Sequence, residues 1–467
     1  MTKQEAVIKY IEDNYLQFNR LRHDVISDKL QVRMEKPTPD PFLKDGGNSE
    51  AHKSFPLGED LGEAFVWREM TKHDINSIVC HCAQEYDVNI TSREVMTALQ
   101  SDLIPNVHPL REYILSLKPY TPDQPDWIDW VAQQVHVKAY PHPLPKGRGE
   151  GSQNSTPMEV EGTGADYKSF PLGEDLGEAS TLWRTCFKKW FVAMVASWMR
   201  DEVVNHQVLV LIGKQGIFKT TWLEHLIPPH LRAYACKLAN SNELNKDERM
   251  RIAEFGLISL DEIDSMNNRE LNQLKSIITA TDVNERAAYA YTKERRVRLA
   301  SFCASGNRRD FLTDITGNRR WLPFEVESIQ NPFHTQLPYE RMYAEAWALA
   351  NNEFFSYWFD LDEIEVLEQH NQHFRDESNE EQLLDVYFAV PAREATNTKF
   401  LTTAEISERL IYYGNIKRPL SLSRLGVLLS QKGFLSIRKG SPQRRGWIVY
   451  ERDNEEVNAE RRILSKT

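Results

Sequence analysis

The sequence predicts an α/β protein built around a parallel sheet, and three observations carry that expectation. Segments 208–212, 255–260 and 299–305 are short, almost unbroken apolar runs, as expected of strands buried on both faces. Helical periodicity fills the intervals, with Trp222, Leu223 and Leu226 marking the first such helix; strands alternating with helices make a parallel sheet. Each run gives way to glycine or polar residues at its end, where ligands of parallel sheets bind.

The 467 residues leave room for about three domains. A hydrophobic content of 41% excludes a disordered chain. The longest apolar run, 190–198, falls short of the roughly 18 residues of a membrane span. The start of the chain carries Lys3, Glu5 and Asp13 instead of a leader-like apolar segment. Five cysteines suit a reducing compartment better than a disulfide framework. A soluble, cytoplasmic protein is therefore expected, with no membrane partner. Cys80-His81-Cys82 lies in an amphipathic helical pattern without a second ligand pair, and reads as core rather than as a metal site.

Composition divides the chain further. Residues 1–90 form an N-terminal region of unassigned role and 91–144 a helical lead-in; both mix short strand-like runs with helical patterns and are together expected to be α-rich. Residues 145–180, with the tract Lys146-Gly-Arg-Gly-Glu-Gly-Ser-Gln-Asn-Ser155, read as a flexible linker or insertion. The parallel-sheet core spans 181–358, an acidic linker 359–382, a small basic module 383–452 and a charged tail 453–467. Twelve residues at 53–64 recur identically at 168–179; no function follows from that pair.

The first apolar run leads straight into Gly213-Lys-Gln-Gly216-Ile-Phe218-Lys219-Thr220-Thr221 and a helix. Strand, glycine-containing loop, Lys-Thr and helix is the layout of a P-loop, in which backbone N–H groups hold phosphates. On this reading Gly213, Gly216, Lys219, Thr220 and Thr221 bind ATP, and the Thr220 hydroxyl takes Mg²⁺. The full pattern asks for glycine at 218, where this chain has Phe218. The second run ends in Asp261-Glu262. Asp261 is the expected metal ligand, and Glu262 the group that polarises the attacking water. The third run ends in Gly306-Asn307, whose amide can sense the terminal phosphate. Arg319 and Arg320 precede a further strand and read as a finger presented to a neighbouring subunit. All four groups are expected at successive strand ends on one sheet edge.

These segments resemble the virulence-associated protein E family, whose ATPase core is similar to superfamily three helicases and to phage and plasmid primase-helicases. The matching residues are 213–221, 257–262, Lys275 with Glu285-Arg-Ala-Ala-Tyr289, Ser305-Gly-Asn307 and 317–324, within a resemblance covering roughly 90–350. The form carried by mobile elements of gut Bacteroidota is the most similar, and an aromatic before the P-loop lysine is familiar there. Longer relatives carry a primase-like domain; no primase metal triad is evident here, so primase activity is not inferred. The resemblance also implies a DNA-contacting hairpin between Lys275 and Arg298. Its basic residues, among them Lys293, Arg295, Arg296 and Arg298, interleave with Tyr289 and Tyr291, which suits single-stranded DNA in a channel.

The net charge of −11 hides a basic end. Residues 399–450 hold ten Lys and Arg against Glu405 and Glu408. Thr402-Thr-Ala-Glu405 is a capping box opening one helix, and 420–432 a second. Two strands then flank a basic turn, 439–446. Helix, helix, strand, basic loop and strand is a winged helix-turn-helix, expected to bind duplex DNA through Arg424, Arg438, Lys439, Arg444 and Arg445. The expectation is thus a P-loop, AAA+-like ATPase with a C-terminal winged helix, working as a helicase or replication initiator of a mobile element in a homo-oligomeric ring. The competing classes are a non-hydrolysing DNA-binding regulator, and a phage-interference ATPase with a protein target.

Overall fold

A computed structural model of the chain describes residues 1–35, 65–140, 178–238, 246–285, 294–312, 318–376, 379–391, 398–414, 421–439 and 443–464. Two compact units result, one made of 1–307 with 320–364, the other of 308–319 with 365–467. The expected linker at 145–180 and both copies of the duplicated segment lie outside the described residues, except for the start of one helix at Glu178.

The first unit opens with α1 (Lys3–Ile11), then β1 (Leu21–Asp24), β2 (Lys29–Glu35) and β3 (Phe65–Glu69), followed by α2 (Lys72–Tyr86), α3 (Ser92–Leu99), β4 (Asn106–Val107) and α4 (Pro109–Ser116). The strands form a sheet ordered β3-β2-β1-β4. Helical residues outnumber strand residues in this region, as the α-rich expectation has it, but a four-stranded sheet joins the helices. Its strands are rich in charged residues (β2 reads KLQVRME), so no apolar run announces them; pairing makes them strands. Three helices carry Thr capping boxes and a fourth a histidine cap. Cys82 packs in the core of this region beside Ile78 and Val95, while Cys80 is exposed. Among the described residues no cluster of His, Cys, Asp and Glu could hold a metal.

The core follows: α5 (Trp127–Ala132), β5 (Val135–Val137), α6 (Glu178–Met199), β6 (Val208–Ile212), α7 (Lys219–His225), β7 (Ala235–Leu238), α8 (Lys246–Glu254), β8 (Leu257–Leu260), α9 (Asn268–Thr279), the hairpin β9 (Asp282–Glu285) and β10 (Glu294–Val297), β11 (Ser301–Gly306), β12 (Trp321–Ile329), α10 (Tyr339–Ala350) and α11 (Leu361–Asn371). The six-stranded sheet runs β5-β12-β6-β11-β8-β7. All neighbours pair in parallel except β5, which runs antiparallel along β12. Every residue of β6, β8 and β11 is buried.

Helix α6 is what covers this sheet. Its apolar centre, short for a membrane span, is buried instead: Trp183, Phe187, Trp190, Phe191 and Trp198 are each at most 1% exposed. Among the described residues no helix is long and apolar enough to cross a membrane. A buried indole keeps its cost low only if its N–H finds an acceptor. Trp183 donates to Ala132 O at 2.9 Å, Trp190 to Phe302 O at 3.1 Å and Trp198 to Gly256 O at 3.0 Å. Those bonds tie one helix to the lead-in, to β11 and to the approach to β8. The stretch expected as an acidic linker is largely helical, and Glu363 is buried by pairing with Lys189 of α6.

In the second unit α12 (Asn379–Tyr387) and β13 (Phe388–Ala389) precede β14 (Thr398–Leu401), α13 (Thr403–Gly414), α14 (Leu422–Gln431), β15 (Leu435–Lys439), β16 (Arg444–Glu451) and α15 (Asn454–Leu464). Strand β16 pairs antiparallel with β13, β14 and β15. Leu384, Ile406, Leu410, Leu425, Leu429 and Trp447 fill its core.

One cap yields a pH prediction. His108 caps α4, its Nδ1 accepting from Arg111 N at 3.2 Å. Burial, reinforced by the Arg111 charge, pushes the imidazole down to about 4. Below about 6.5 the unfolded chain binds a proton that the folded chain resists, so stability falls as pH drops toward 4. His108→Asn keeps a capping acceptor without the titration. Thermal unfolding should show a smaller loss of Tm in this variant than in wild type between about pH 6.5 and 4.5.

Candidate active site

The C-terminal ends of β6, β8 and β11 bring four of the expected groups together. After Ile212 the chain turns through Gly213, whose backbone comes so close to β12 that a Cβ would lie 2.6 Å from Val326 O. Gly216 takes φ +87°, and Phe218, at φ 67° and ψ 18°, is the N-cap of α7. Phe218 thus adopts the left-handed conformation that glycine reaches without cost. Lys219 is 7% exposed. Its Nζ donates to Gly213 O at 2.7 Å, Lys214 O at 2.8 Å and Asn307 Oδ1 at 3.3 Å. Burial lowers the pKa of this ammonium, against the opposing fields of Asp264 and Asp261.

Beside it the Thr220 hydroxyl is 3.2 Å from Asp261 Oδ1 and 2.9 Å from Ser305 Oγ. Ser305 donates to the same carboxylate oxygen at 2.8 Å. Lys237 of β7 holds the other oxygen at 2.8 Å. Burial works against the charge on Asp261, but the bonds from Lys237, Ser305 and Thr220 outweigh it and keep the carboxyl below its ordinary range. The Asp261 carboxylate with the Thr220 and Ser305 hydroxyls is a small hard-oxygen set that suits Mg²⁺ shared with phosphate oxygens and is too small for an all-protein metal cage. The Lys219 ammonium beside it would face the phosphates. Thr221 lines the first turn of α7, its carbonyl accepting from His225 Nδ1 at 2.7 Å. Asn307 N donates to Asp264 Oδ1 at 3.1 Å.

Ser305, Lys237 and Asp264 join the expected residues here. Ser305 could have been found from its place beside Gly306-Asn307. Lys237 could not, because only the parallel pairing of β7 with β8 brings it to Asp261. Glu262 is exposed and sits at φ 53°. Among the described residues five non-glycines have positive φ, and three of them are Asn or Asp, which tolerate it. The other two are Phe218 and Glu262, both at this site. Strain at paired positions beside a polar cluster is a mark of function.

Arg320 is not on this edge. It immediately precedes β12, whose first residue, Trp321, pairs with Val208 at the start of β6. The length of β6 therefore separates Arg320 from the loop after Ile212, roughly 15 Å. The expectation of four groups on one edge is corrected: Arg320 lies at the opposite edge, because it comes before its strand and the others follow theirs. Arg319 adjoins it in the same short turn, Asn318–Arg320, and is exposed.

The hairpin β9–β10 also differs in part from expectation. Arg295 is exposed and paired with Asp282 at 2.7 Å. Arg296 turns inward, 3.5 Å from Asp28 and 3.9 Å from Glu254. Arg298 is only 2% exposed and donates to Ala300 O, Ile278 O and Asn205 O; it is a structural clamp and not part of a basic surface. Lys293 lies outside the described residues, as do Arg286, Tyr289 and Tyr291.

In the second unit Arg438 stands opposite Arg445 and Lys439 opposite Arg444 across the β15–β16 ladder, all four exposed. Like charges directly opposed on a ladder repel, and a polyanion relieves that repulsion. Arg424 is exposed near the start of α14.

Comparison with known proteins gives one family match. The model of the virulence-associated protein E-like domain matches residues 172–376. Among solved structures, the A form apo structure of the NrS-1 C-terminal region is similar at 9% identity, covering 96% of this chain and 99% of that one with a TM-score of 0.40. A second apo structure of that region gives 11%, 96%, 100% and 0.38. No curated protein matches the chain.

The strain at Glu262 makes a prediction. Glycine there removes a left-handed cost of about 1 kcal/mol and, since the side chain is exposed, sacrifices little packing. Glu262→Gly should unfold at a slightly higher temperature than wild type in a thermal melt.

Proposed function

We propose, because residues 172–376 match the virulence-associated protein E-like domain, that the chain is a P-loop, AAA+-type ATPase that does work on DNA in the replication of a mobile genetic element. The observation that carries the reading is the convergence of Lys219, Thr220, Asp261, Ser305 and Asn307 at one sheet edge. Lys219 is already seated among the carbonyls of its own loop, as a charge awaiting phosphate oxygens. Thr220 and Asp261 would hold Mg²⁺, which when bound neutralises charge on the phosphates.

Glu262, exposed beside Asp261, takes the proton of the attacking water. Asn307, fixed through its N–H to Asp264, orients that water and reads the terminal phosphate. Arg319 and Arg320 act from a neighbouring subunit: Arg320 lies at the far edge of its own sheet, so a catalytic part for the pair requires a ring-like homo-oligomer. That Phe218 takes the backbone conformation of the missing glycine favours hydrolysis over the reading as a non-hydrolysing regulator.

Helices α13 and α14 with the β15–β16 hairpin form the winged helix of this reading. The opposed basic pairs of the hairpin are its wing, set for the phosphates of duplex DNA. Arg295 and Lys293 are assigned to single-stranded DNA in the ring's channel; Arg296, drawn toward Asp28 and Glu254, is placed at the hairpin base.

With Mg²⁺, turnover of ATP should rise on adding single-stranded DNA and vanish in Lys219→Ala and Asp261→Ala; unstimulated or unchanged turnover refutes the motor. Arg320→Ala mixed with Lys219→Ala should regain part of the activity that each lacks alone, since mixed rings contain interfaces with an intact site and an intact finger. Replacing Arg438, Lys439, Arg444 and Arg445 together by alanine should weaken duplex binding and flatten its log–log salt dependence by about 3–4, read by fluorescence anisotropy.

A further inference from the structure

The phosphate loop has an aromatic flank. Phe218 and Phe333 meet edge to face with ring centroids 6.2 Å apart, and His225 lies 5.5 Å from Phe333. Phe333 is 50% exposed. It sits in the connection from β12 to α10, which is tightly held. Phe333 N donates to Asn331 Oδ1 at 3.0 Å. Tyr339 Oη donates to His225 O at 2.7 Å, and Tyr343 Oη to Leu226 O at 3.0 Å. These bonds tie the start of α10 to the end of α7, and the connection that carries Phe333 runs into that junction.

The order of strands gives the site a direction. Asn307 follows β11 and Asp261 follows β8, both on one side of β6. Phe333 follows β12, on the other side, and emerges from the same sheet edge because β12 and β6 run parallel. A ligand whose terminal phosphate meets Asp261, Glu262 and Asn307 therefore points its opposite end toward Phe218 and Phe333. A left-handed phenylalanine is costly where glycine is free, so its ring must return something there. His225 donates from Nδ1 to Thr221 O, and burial lowers its pKa, so this flank presents neutral rings.

We infer that Phe218 and Phe333 form a stacking platform for the base of a bound purine nucleoside triphosphate. The inference deepens the ATPase reading and rests on it: the ligand is recognised at both ends, not as a bare polyphosphate.

Titration calorimetry on the full chain tests this with two probes, Mg·ATP and Mg·tripolyphosphate. Phe333→Ala and Phe218→Gly should each weaken ATP about tenfold, or about 1.4 kcal/mol, within the range of base–aromatic stacking. Tripolyphosphate should bind Phe333→Ala as it binds wild type, and Phe333→Trp should keep ATP affinity. Phe218→Gly relieves the left-handed strain, so a Tm at or above that of wild type separates lost stacking from misfolding. Equal weakening of both probes in Phe333→Ala, or unchanged ATP affinity in both variants, overturns the platform while leaving the phosphate site standing. Binding of both probes that is indifferent to Lys219→Ala overturns the phosphate site and the platform with it.

Discussion

Parallel strands covered on both faces leave almost no place for polar side chains along their length, and this constraint shapes the rest of the molecule. Strands β6, β8 and β11 are buried throughout, so their polar chemistry is pushed to the residues at their C-terminal ends. There Lys219, Thr220, Asp261, Ser305 and Asn307 satisfy one another. The covering layer that imposes this burial is α6. Its three indole N–H groups each find a carbonyl, so a wide aromatic face is buried without orphaned donors.

Charge inside this core is handled by pairing. Lys188 meets Glu345 at 3.1 Å, and Glu345 also accepts from the first two amides of α5. Arg298 spends its guanidinium on backbone carbonyls. An unpaired charge at such depth costs several kcal/mol. The exposed hairpin of the second unit is the opposite case, since its like-charged pairs face one another with nothing between them but the ladder. Internal pairing is a structural use of charge; on the hairpin the repulsion of like charges is left to solvent.

How much of this was legible in sequence depended on the kind of signal. The strands of the parallel sheet announce themselves because burial on both faces demands continuous apolar runs, and the polar residues after them are then read by adjacency. The β-sheet of the N-terminal region was legible only as short strand-like runs, because β2, KLQVRME, has three charged residues in seven; its strand character comes from β1 and β3. Arg296 and Arg298 read as a basic surface because composition does not say which way a side chain turns.

Sequence alone determined the order of strand, loop and helix, the pairing of Lys219 with Thr220 and of Asp261 with Glu262, and the concentration of basic residues after 399. These are local or adjacent features, set by periodicity and by chain neighbours. Tertiary structure decided that Lys237 holds Asp261, that Arg320 lies at the sheet edge away from Lys219, and that Phe218 meets Phe333 across more than a hundred residues. Each of those depends on which strands lie side by side and in which direction. Strand order is a property of how the whole sheet buries its faces, so no stretch of residues read by itself contains it.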